Sequence, residues 1–306
     1  MTFIDPPALP DFIAPMLPFE RRAWRFEEGI EAGRMMHLID CGPRDGRVVW
    51  MQHGNPTWSF LWRKVIGPLS ARGYRCVAPD LLGFGLSSKL PSIADHGLAR
   101  HVDSLAVLLE ALEVDAITLA GQDWGGPMIT GLGARFPDRI CGVVLGNTSV
   151  LAPSRPRGTA FHRFARAPLI SDLVFRGLGL PQAALWSAQG DRGSIRGEVS
   201  KAYRWPLRRL KDRSGPLALA RMVPDSLDHP SMGPIRAGEG WLKGFAGPME
   251  LVWGERDPIL GQIAGRHEAA FPEAPMTRTQ AGHFLQEEVP DDLVAAIERV
   301  CERGRA

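Results

Sequence analysis

The sequence predicts an α/β protein with a mostly parallel, eight-stranded sheet, flanked by helices and carrying an inserted helical cap. Short runs of apolar and β-branched residues alternate with helical patterns through the first half of the chain, which favours a parallel sheet covered on both faces. This alternation stops near residue 150 and resumes near residue 249. The stretch between has only helical patterns, and we expect it to form the cap.

Each expected strand is an apolar run that ends in turn residues. The eight strands are Ala23–Phe26, Met35–Asp40, Arg47–Gln52, Tyr74–Ala78, Ala116–Ala120, Ile140–Leu145, Met249–Trp253 and Met276–Thr279. Helices are expected over Ser59–Ser70, Leu98–Leu112 and Pro127–Phe136. The second of these carries leucines and a valine at helical spacing, so one of its faces should pack on the sheet.

Two domains follow from the interruption of the pattern. Residues 1–150 and 232–306 are expected to form the main domain, and residues 151–231 the cap. Within the cap, prolines separate short helical pieces such as Leu169–Leu178 and Gln182–Gln189. We expect the cap to cover the carboxyl ends of the strands, where open α/β sheets bind their ligands.

The composition is that of an ordinary globular protein, with 306 residues, 44% of them hydrophobic and 23% charged. The first 18 residues carry Asp5 and Asp11 but no early basic cluster, and no later stretch is long and apolar enough to span a bilayer. We therefore expect a cytoplasmic protein with no stable membrane insertion. Its four cysteines have no CxxC spacing, which argues against zinc and thioredoxin-like sites.

The net charge of +2 is distributed unevenly. Residues 151–213 contain thirteen basic and four acidic residues, a net charge of +9, so the rest of the chain carries −7. A basic cap could attract anionic substrates or a membrane surface. A solvated helical surface is the more ordinary explanation, because neither interleaved aromatic residues nor a nucleic-acid motif accompanies the charge. No nucleic-acid partner is expected.

The segment Gly121-Gln122-Asp123-Trp124-Gly125-Gly126 has the spacing of a nucleophile elbow. In such an elbow a strand turns sharply into a helix and exposes one side chain above the sheet. Glycines are needed at either side because strand and helix approach too closely for a Cβ. The exposed position is Asp123, and a carboxylate there predicts attack on a saturated carbon, where serine would transfer an acyl group.

Two further residues at strand ends complete a candidate triad. Asp257 follows the strand that ends at Trp253, and His283 lies in a loop after the last strand. The chain order of nucleophile, acid and histidine is the one associated with this kind of elbow. Singly, an aspartate before proline is commonly a turn or helix cap. Together, Asp123, Asp257 and His283 predict a catalytic triad, with Glu255 as the alternative acid.

The loop His53-Gly54-Asn55-Pro56-Thr57 directly follows the expected central strand. Such a loop supplies one oxyanion-hole amide, and the residue after the nucleophile supplies the other. These backbone amides are assigned to Asn55 and Trp124. His53 is interpreted as a turn residue that hydrogen-bonds the backbone.

Four segments together resemble the haloalkane dehalogenases of the α/β-hydrolase superfamily. They are His53-Gly54-Asn55-Pro56-Thr57, Asp80-Leu81-Leu82-Gly83-Phe84-Gly85-Leu86-Ser87, the elbow itself and Gly282-His283-Phe284. The similarity extends from about Trp24 to Pro290, with a loose match in the cap. It implies an α/β-hydrolase fold, and halide binding by the side-chain N–H groups of Asn55 and Trp124. Both side chains donate hydrogen bonds, which suits an anion.

The resemblance also implies the chemistry. Ionised Asp123 would displace the halide and form an alkyl-enzyme ester, and His283, oriented by Asp257, would activate the water that hydrolyses it. The molecules handled would be a small apolar halogenated substrate, water and a halide ion, with no metal or organic cofactor. Some family members carry their acid at the end of the strand before the cap, but Asn147 stands there and cannot carry the charge.

Several apolar residues are candidate pocket walls, and Trp186 or Trp205 is a candidate third halide donor. The candidates are Phe164, Phe175, Leu178, Trp186, Trp205 and Phe284. No motif indicates the oligomeric state.

Other functions stay open at this point. Epoxide hydrolases share the aspartate elbow but characteristically use two cap tyrosines, and this chain has only Tyr74 and Tyr203, the second in the cap. Fluoroacetate dehalogenases have arginine where Trp124 stands. A non-catalytic α/β-hydrolase-like ligand receptor would bind without releasing halide, and a cofactor-free oxygenase would consume oxygen.

Overall fold

The computed structural model describes residues 2–157 and 159–304, and nine strands form one sheet in this part of the chain. The strands are β1 (Thr2–Ile4), β2 (Arg21–Arg25), β3 (Met35–Cys41), β4 (Val48–Gln52), β5 (Arg75–Pro79), β6 (Ile117–Asp123), β7 (Ile140–Thr148), β8 (Met249–Gly254) and β9 (Met276–Thr279). Their order in the sheet is β1-β2-β3-β5-β4-β6-β7-β8-β9. The pairings of β1, β2 and β3 are antiparallel, and all the others are parallel.

The expected α/β-hydrolase fold with a mostly parallel sheet is confirmed, but the expected number of strands, eight, was wrong. The ninth strand is β1, which pairs antiparallel with β2 at the edge of the sheet. Three residues are too few to show the alternation that reveals a strand in sequence. This strand is defined by its hydrogen bonds to β2, which only the folded chain provides.

Helices connect the parallel strands and fill the stretch between β7 and β8. They are α1 (Arg63–Ala71), α2 (Leu98–Ala111), α3 (Gly125–Arg135), α4 (Ala160–Ala165), α5 (Ile170–Asp172), α6 (Leu180–Ala183), α7 (Gly197–Arg204), α8 (Ser214–Arg221), α9 (Met232–Gly244), α10 (Ala264–Ala270), α11 (Leu285–Glu288) and α12 (Pro290–Arg303). Residues 151–231 thus contain α4 to α8. The helix expected over Leu169–Leu178 is α5 followed by a π-helical turn, Leu173–Gly177. No helix in the described ranges is long and apolar enough to cross a membrane.

The sheet is buried on both faces. In β4, Val48 and Trp50 pack into one apolar cluster, whereas Val49 and Met51 pack into another, because successive side chains of a strand point to opposite faces. The first cluster includes side chains of α2 and α3, and the second includes those of α1 and α12. This double cover holds the carboxyl ends of the parallel strands in fixed positions along one edge.

The loop after β5 is organised around a buried carboxylate. Asp80 Oδ2 accepts hydrogen bonds from His37 Nδ1 at 2.8 Å and from the Leu86 amide at 2.7 Å, and Oδ1 accepts one from the Ser59 amide at 2.7 Å. Burial alone would raise the pKa of Asp80, but the charge and hydrogen bond of His37 hold it well below its usual range. An added Cβ at Gly85 would collide with this carboxylate. The conspicuous Asp-Leu-Leu-Gly-Phe-Gly motif therefore has a structural explanation.

A second buried carboxylate joins α7 to α1 and α11. Glu287, in α11, accepts a hydrogen bond from Tyr203 Oη at 2.6 Å and is paired with Arg63 Nη1 at 2.5 Å and with Lys64 Nζ at 3.1 Å. The Glu287 side chain has no solvent exposure and that of Arg63 only 8%. Because both charges of the Glu287–Arg63 pair are buried, each is stabilised by the other, and removal of either leaves an uncompensated buried charge.

Substituting Glu287 should therefore destabilise the fold. We expect Glu287→Gln to lower the free energy of unfolding by about 3 kcal/mol, since it leaves the Arg63 guanidinium buried without its counter-charge. The measurement is urea denaturation followed by circular dichroism. The control is Glu298→Gln, which breaks a surface pair with Arg72 and should cost less than about 1 kcal/mol. Equal losses in the two variants would contradict this account.

Candidate active site

Asp123 is the last residue of β6, at the point where the strand turns into α3. Its φ of +53° lies in the left-handed region, which residues other than glycine rarely adopt. The turn leaves no space beside it: an added Cβ at Gly125 would collide with the Gln52 carbonyl, and one at Gly126 with the Thr148 side chain. The Asp123 carbonyl is held by Thr148 Oγ1 at 2.5 Å. The elbow expected from the glycine spacing is formed.

The Asp123 carboxylate faces the loop after β4. Its Oδ1 accepts a hydrogen bond from the backbone amide of Asn55 at 2.6 Å. An added Cβ at Gly54 would collide with the same oxygen and would lie 2.6 Å from the Trp124 amide nitrogen. The two amides assigned to the oxyanion hole are thus on either side of this carboxylate, at the N-terminus of α3, where the helix dipole favours negative charge.

His283 lies between two carboxylates. Its Nδ1 donates to Asp257 Oδ2 at 2.8 Å, and its Nε2 lies 3.6 Å from Asp123 Oδ2. The other oxygen of Asp257 accepts from the Ile259 amide at 2.7 Å, which fixes the carboxylate in the loop after β8. The three residues of the expected triad are therefore brought together, with the histidine in the middle.

The two carboxylates change the protonation of His283. Burial by itself would lower the pKa of this imidazole, but the charge of Asp257, its hydrogen bond to His283 and the charge of Asp123 raise it to about 10. At neutral pH the resting site therefore holds an imidazolium between two negative charges. If the charge of Asp123 is lost, one source of this stabilisation disappears and the proton is released more easily.

The side chains expected to hold a halide occupy different environments. Trp124 is 8% exposed, and no hydrogen bond engages its indole N–H in residues 2–157 and 159–304. Asn55 donates one hydrogen bond from Nδ2 to the Pro216 carbonyl, in α8, at 3.1 Å. An amide nitrogen carries two hydrogens, so the second N–H of Asn55 is available to an anion.

A cavity of about 490 Å³ opens above Asp123, Asn55, Trp124 and His283. Its other lining residues are mostly apolar, and they include Phe161, Phe164, Phe175, Leu180, Leu185 and Phe284. We call it the apolar cavity.

Three of the six expected wall residues, Phe164, Phe175 and Phe284, line the apolar cavity. The expectation was wrong for the other three. Leu178 and Trp205 line a separate cleft, and Trp186 is 39% exposed on the surface with Arg192 above its ring. Neither candidate third donor, Trp186 or Trp205, lines the apolar cavity.

Three other residues singled out in the sequence have roles outside the reaction centre. His53 Nδ1 donates to the Gly54 carbonyl at 2.9 Å and its Nε2 accepts from the Leu81 amide at 3.0 Å, which agrees with a structural role. Glu255 pairs with Arg278 at the surface, not with His283. Tyr203 is buried against Glu287 and does not line the apolar cavity.

Comparison with known proteins now identifies the family. The α/β-hydrolase fold family matches residues 47–290. A haloalkane dehalogenase of Mycobacterium marinum is 35% identical over 265 residues, which cover 86% of this chain and 87% of the relative. Another from Psychrobacter cryohalolentis is 32% identical over 262 residues, covering 83% and 82%. The chain belongs to the haloalkane dehalogenase family. The resemblance inferred from the motifs is confirmed.

Solved haloalkane dehalogenases share the fold. The enzyme DpaA from Paraglaciecola agarilytica, whose structure is described as tetrameric, superimposes with a TM-score of 0.80 at 24% identity, covering 99% of this chain and 98% of that one. DbeA from Bradyrhizobium elkanii superimposes with a TM-score of 0.78 at 22% identity, covering 92% and 99%. At these identities the likeness concerns the fold.

Two buried amides in this dehalogenase-family site were not anticipated from the sequence. Asn147 Nδ2 donates to the Gly282 carbonyl at 2.8 Å, and its Oδ1 accepts from the Gly254 amide at 2.8 Å. Gln122 Nε2 donates to the His283 carbonyl at 3.0 Å. Both therefore hold the histidine loop. Their place at strand ends was visible, but their partners come from distant parts of the chain.

The charge of Asp123 should control the protonation of His283. In wild-type protein we expect the His283 imidazole to stay protonated at pH 8, and in Asp123→Asn we expect its pKa to fall, because one neighbouring negative charge is removed. NMR titration of protein labelled with ¹⁵N-histidine measures both. His53 serves as the internal control, because burial lowers its pKa and it should stay neutral in both proteins. An unchanged His283 titration would contradict the electrostatic account.

Proposed function

We propose that this protein hydrolyses carbon–halogen bonds of apolar haloalkanes through an aspartyl alkyl-enzyme ester, with residues 151–231 acting as the cap over the site. The observation that carries the proposal is a carboxylate, Asp123, at the base of the apolar cavity, with the N–H donors of Trp124 and Asn55 beside it. A carboxylate attacks carbon without needing a base, and the donors suit a departing anion.

The first step follows from the two oxygens of Asp123. The Asn55 amide holds Oδ1, which leaves Oδ2 free to attack the carbon that bears the halogen. The new C–O bond forms as the C–X bond breaks, and the electron pair leaves with the halide. The Trp124 indole N–H and the second N–H of Asn55 stabilise the halide as its charge develops, which lowers the barrier more than it stabilises the bound substrate.

The second step uses His283. Once Asp123 is an ester it carries no charge, so His283 loses part of what raised its pKa and releases its proton to solvent. The neutral imidazole then takes a proton from water, which attacks the Asp123 carboxyl carbon. The oxyanion forms on Oδ1, already hydrogen-bonded to the Asn55 amide. When it collapses, the bond between the carboxyl carbon and Oδ2 breaks, and the alkoxide takes the remaining proton of the attacking water and leaves as the alcohol, which restores the Asp123 carboxylate. Asp257 orients the ring and stabilises the imidazolium. The products are alcohol, halide and a proton.

The alternative functions find less support at this site. An epoxide hydrolase needs an acid beside the opening ring, but Tyr203, the only tyrosine of the cap, donates its hydroxyl to Glu287 away from the apolar cavity. A ligand receptor would not require a histidine held between two carboxylates above a nucleophile elbow. Release of halide separates hydrolysis from simple binding.

Bromide release is the direct test. We expect the wild-type protein to release bromide from short 1-bromoalkanes and Asp123→Asn to be slower by at least about a thousandfold, since the nucleophile is lost. Ion chromatography measures bromide, and intact mass confirms that the amide has not reverted to aspartate. Asp228→Asn, at an exposed position, is the control and should keep full activity. Full turnover by intact Asp123→Asn would exclude the mechanism.

A variant without the histidine should stop after the first step. We expect His283→Phe to release one equivalent of bromide and to retain the alkyl group on Asp123, because no base remains to activate water. Intact-protein mass spectrometry should show an increase equal to the alkyl group, and peptide mapping should place it on Asp123. The double variant Asp123→Asn, His283→Phe should gain no mass. Continued multiple turnovers by His283→Phe would contradict the assigned role.

A further inference from the structure

A second cavity, of about 330 Å³, also reaches Asp123 and Trp124, and its character differs from that of the apolar cavity. Its walls are largely apolar, and they include Leu151, Pro153, Val223, Ile235, Ile259 and Ile263. Three arginines, Arg155, Arg157 and Arg266, also line it. We call it the arginine-lined cavity.

The three guanidinium groups differ in their partners. Arg266 donates to the Ala152 carbonyl at 2.6 Å, and its charge helps to lower the pKa of Glu239. Arg155 and Arg157 form no ion pair with a carboxylate of residues 2–157 or 159–304. The only acidic side chain lining this cavity is Asp123. Two unpaired positive charges, with the third of Arg266, along an apolar cavity are suited to an anion carried on an apolar chain.

The histidine at the junction of the two cavities adds no positive charge there. His162, in α4, lines both of them, and burial lowers its pKa to about 4 despite the opposing effect of Asp123. The two cavities therefore differ in charge, because only the arginine-lined cavity has arginine side chains in its walls. A substrate carbon in contact with Asp123 can extend its chain into either space, and only one of them offers positive charge.

We propose that the arginine-lined cavity binds the carboxylate of ω-halogenated alkanoic acids while their halogen-bearing carbon lies against Asp123. This inference rests on the proposed hydrolysis and names a substrate class for it. The alkyl chain packs on the isoleucines and prolines, and the carboxylate pairs with Arg155, Arg157 or Arg266. Short acids such as bromoacetate gain no binding from the arginines, because the residue next to the nucleophile is Trp124 and not an arginine.

The test compares an acid with a neutral substrate of equal chain length, 6-bromohexanoate and 1-bromohexane. We expect the wild type to have a higher kcat/KM for the acid. In Arg155→Gln, Arg157→Gln the ratio of acid to neutral kcat/KM should fall about tenfold, mainly through KM for the acid, as expected for two partly exposed ion pairs. Raising the salt concentration should reduce the wild-type preference as well.

A matched control separates local binding from net charge. Arg196→Gln, Arg209→Gln removes two charges from the same cap segment at positions that line neither cavity, and it should leave the ratio unchanged. An equal fall in both double variants would overturn the inference. So would a change confined to product inhibition by bromide, because the arginines would then bind the released halide, not a carboxylate.

The outcomes also separate this inference from the proposed function. Release of bromide from 1-bromohexane without a preference for the acid would overturn the substrate class alone. No bromide from either substrate, with folded protein, would overturn the hydrolytic function and this inference with it.

Discussion

The site depends on the tight turn at Asp123. The backbone packs so closely there that the neighbouring positions must be glycine. With φ at +53°, Asp123 points its carboxylate above the sheet, and α3 begins so close to β4 and β7 that Gly125 and Gly126 cannot carry a Cβ. A Cβ at Gly54 would collide with the Asp123 carboxylate itself. A positive φ at a residue other than glycine is kept only where many surrounding contacts fix the backbone. Here the contacts come from two neighbouring strands and a helix.

The protonation of His283 follows from the placement of Asp123. Asp123 lies 3.6 Å from His283, and Asp257 lies 2.8 Å away on the other side, so both carboxylates raise the pKa of the imidazole. In the mechanism that we propose, esterification of Asp123 removes one of these two negative charges, and His283 then becomes a base at the step that needs one.

The cap segment contributes through contacts with the main sheet. The Pro216 carbonyl, in α8, orients the Asn55 amide, and Tyr203, in α7, anchors on the pair formed by Glu287 and Arg63. These contacts join residues 151–231 to α1, α11 and the loop after β4. The arginine-lined cavity is lined by this segment and by residues of α9 and α10. Part of the basic charge of this segment lies at the arginine-lined cavity, where Arg155 and Arg157 are joined by Arg266 of α10.

The sequence by itself determined the site residues whose positions are set by local backbone geometry. The elbow glycines, Asp123, the loop that carries Asn55, and the strand-end positions of Asp257 and His283 could be recognised because each depends on backbone geometry within a few residues. The sequence did not reveal β1, which exists only through its pairing with β2, or the support that Asn147 and Gln122 give to the histidine loop. It also misplaced Leu178, Trp186 and Trp205. Tertiary structure decided these points, because the orientation of short cap helices and the partners of buried amides depend on contacts between residues more than a hundred positions apart.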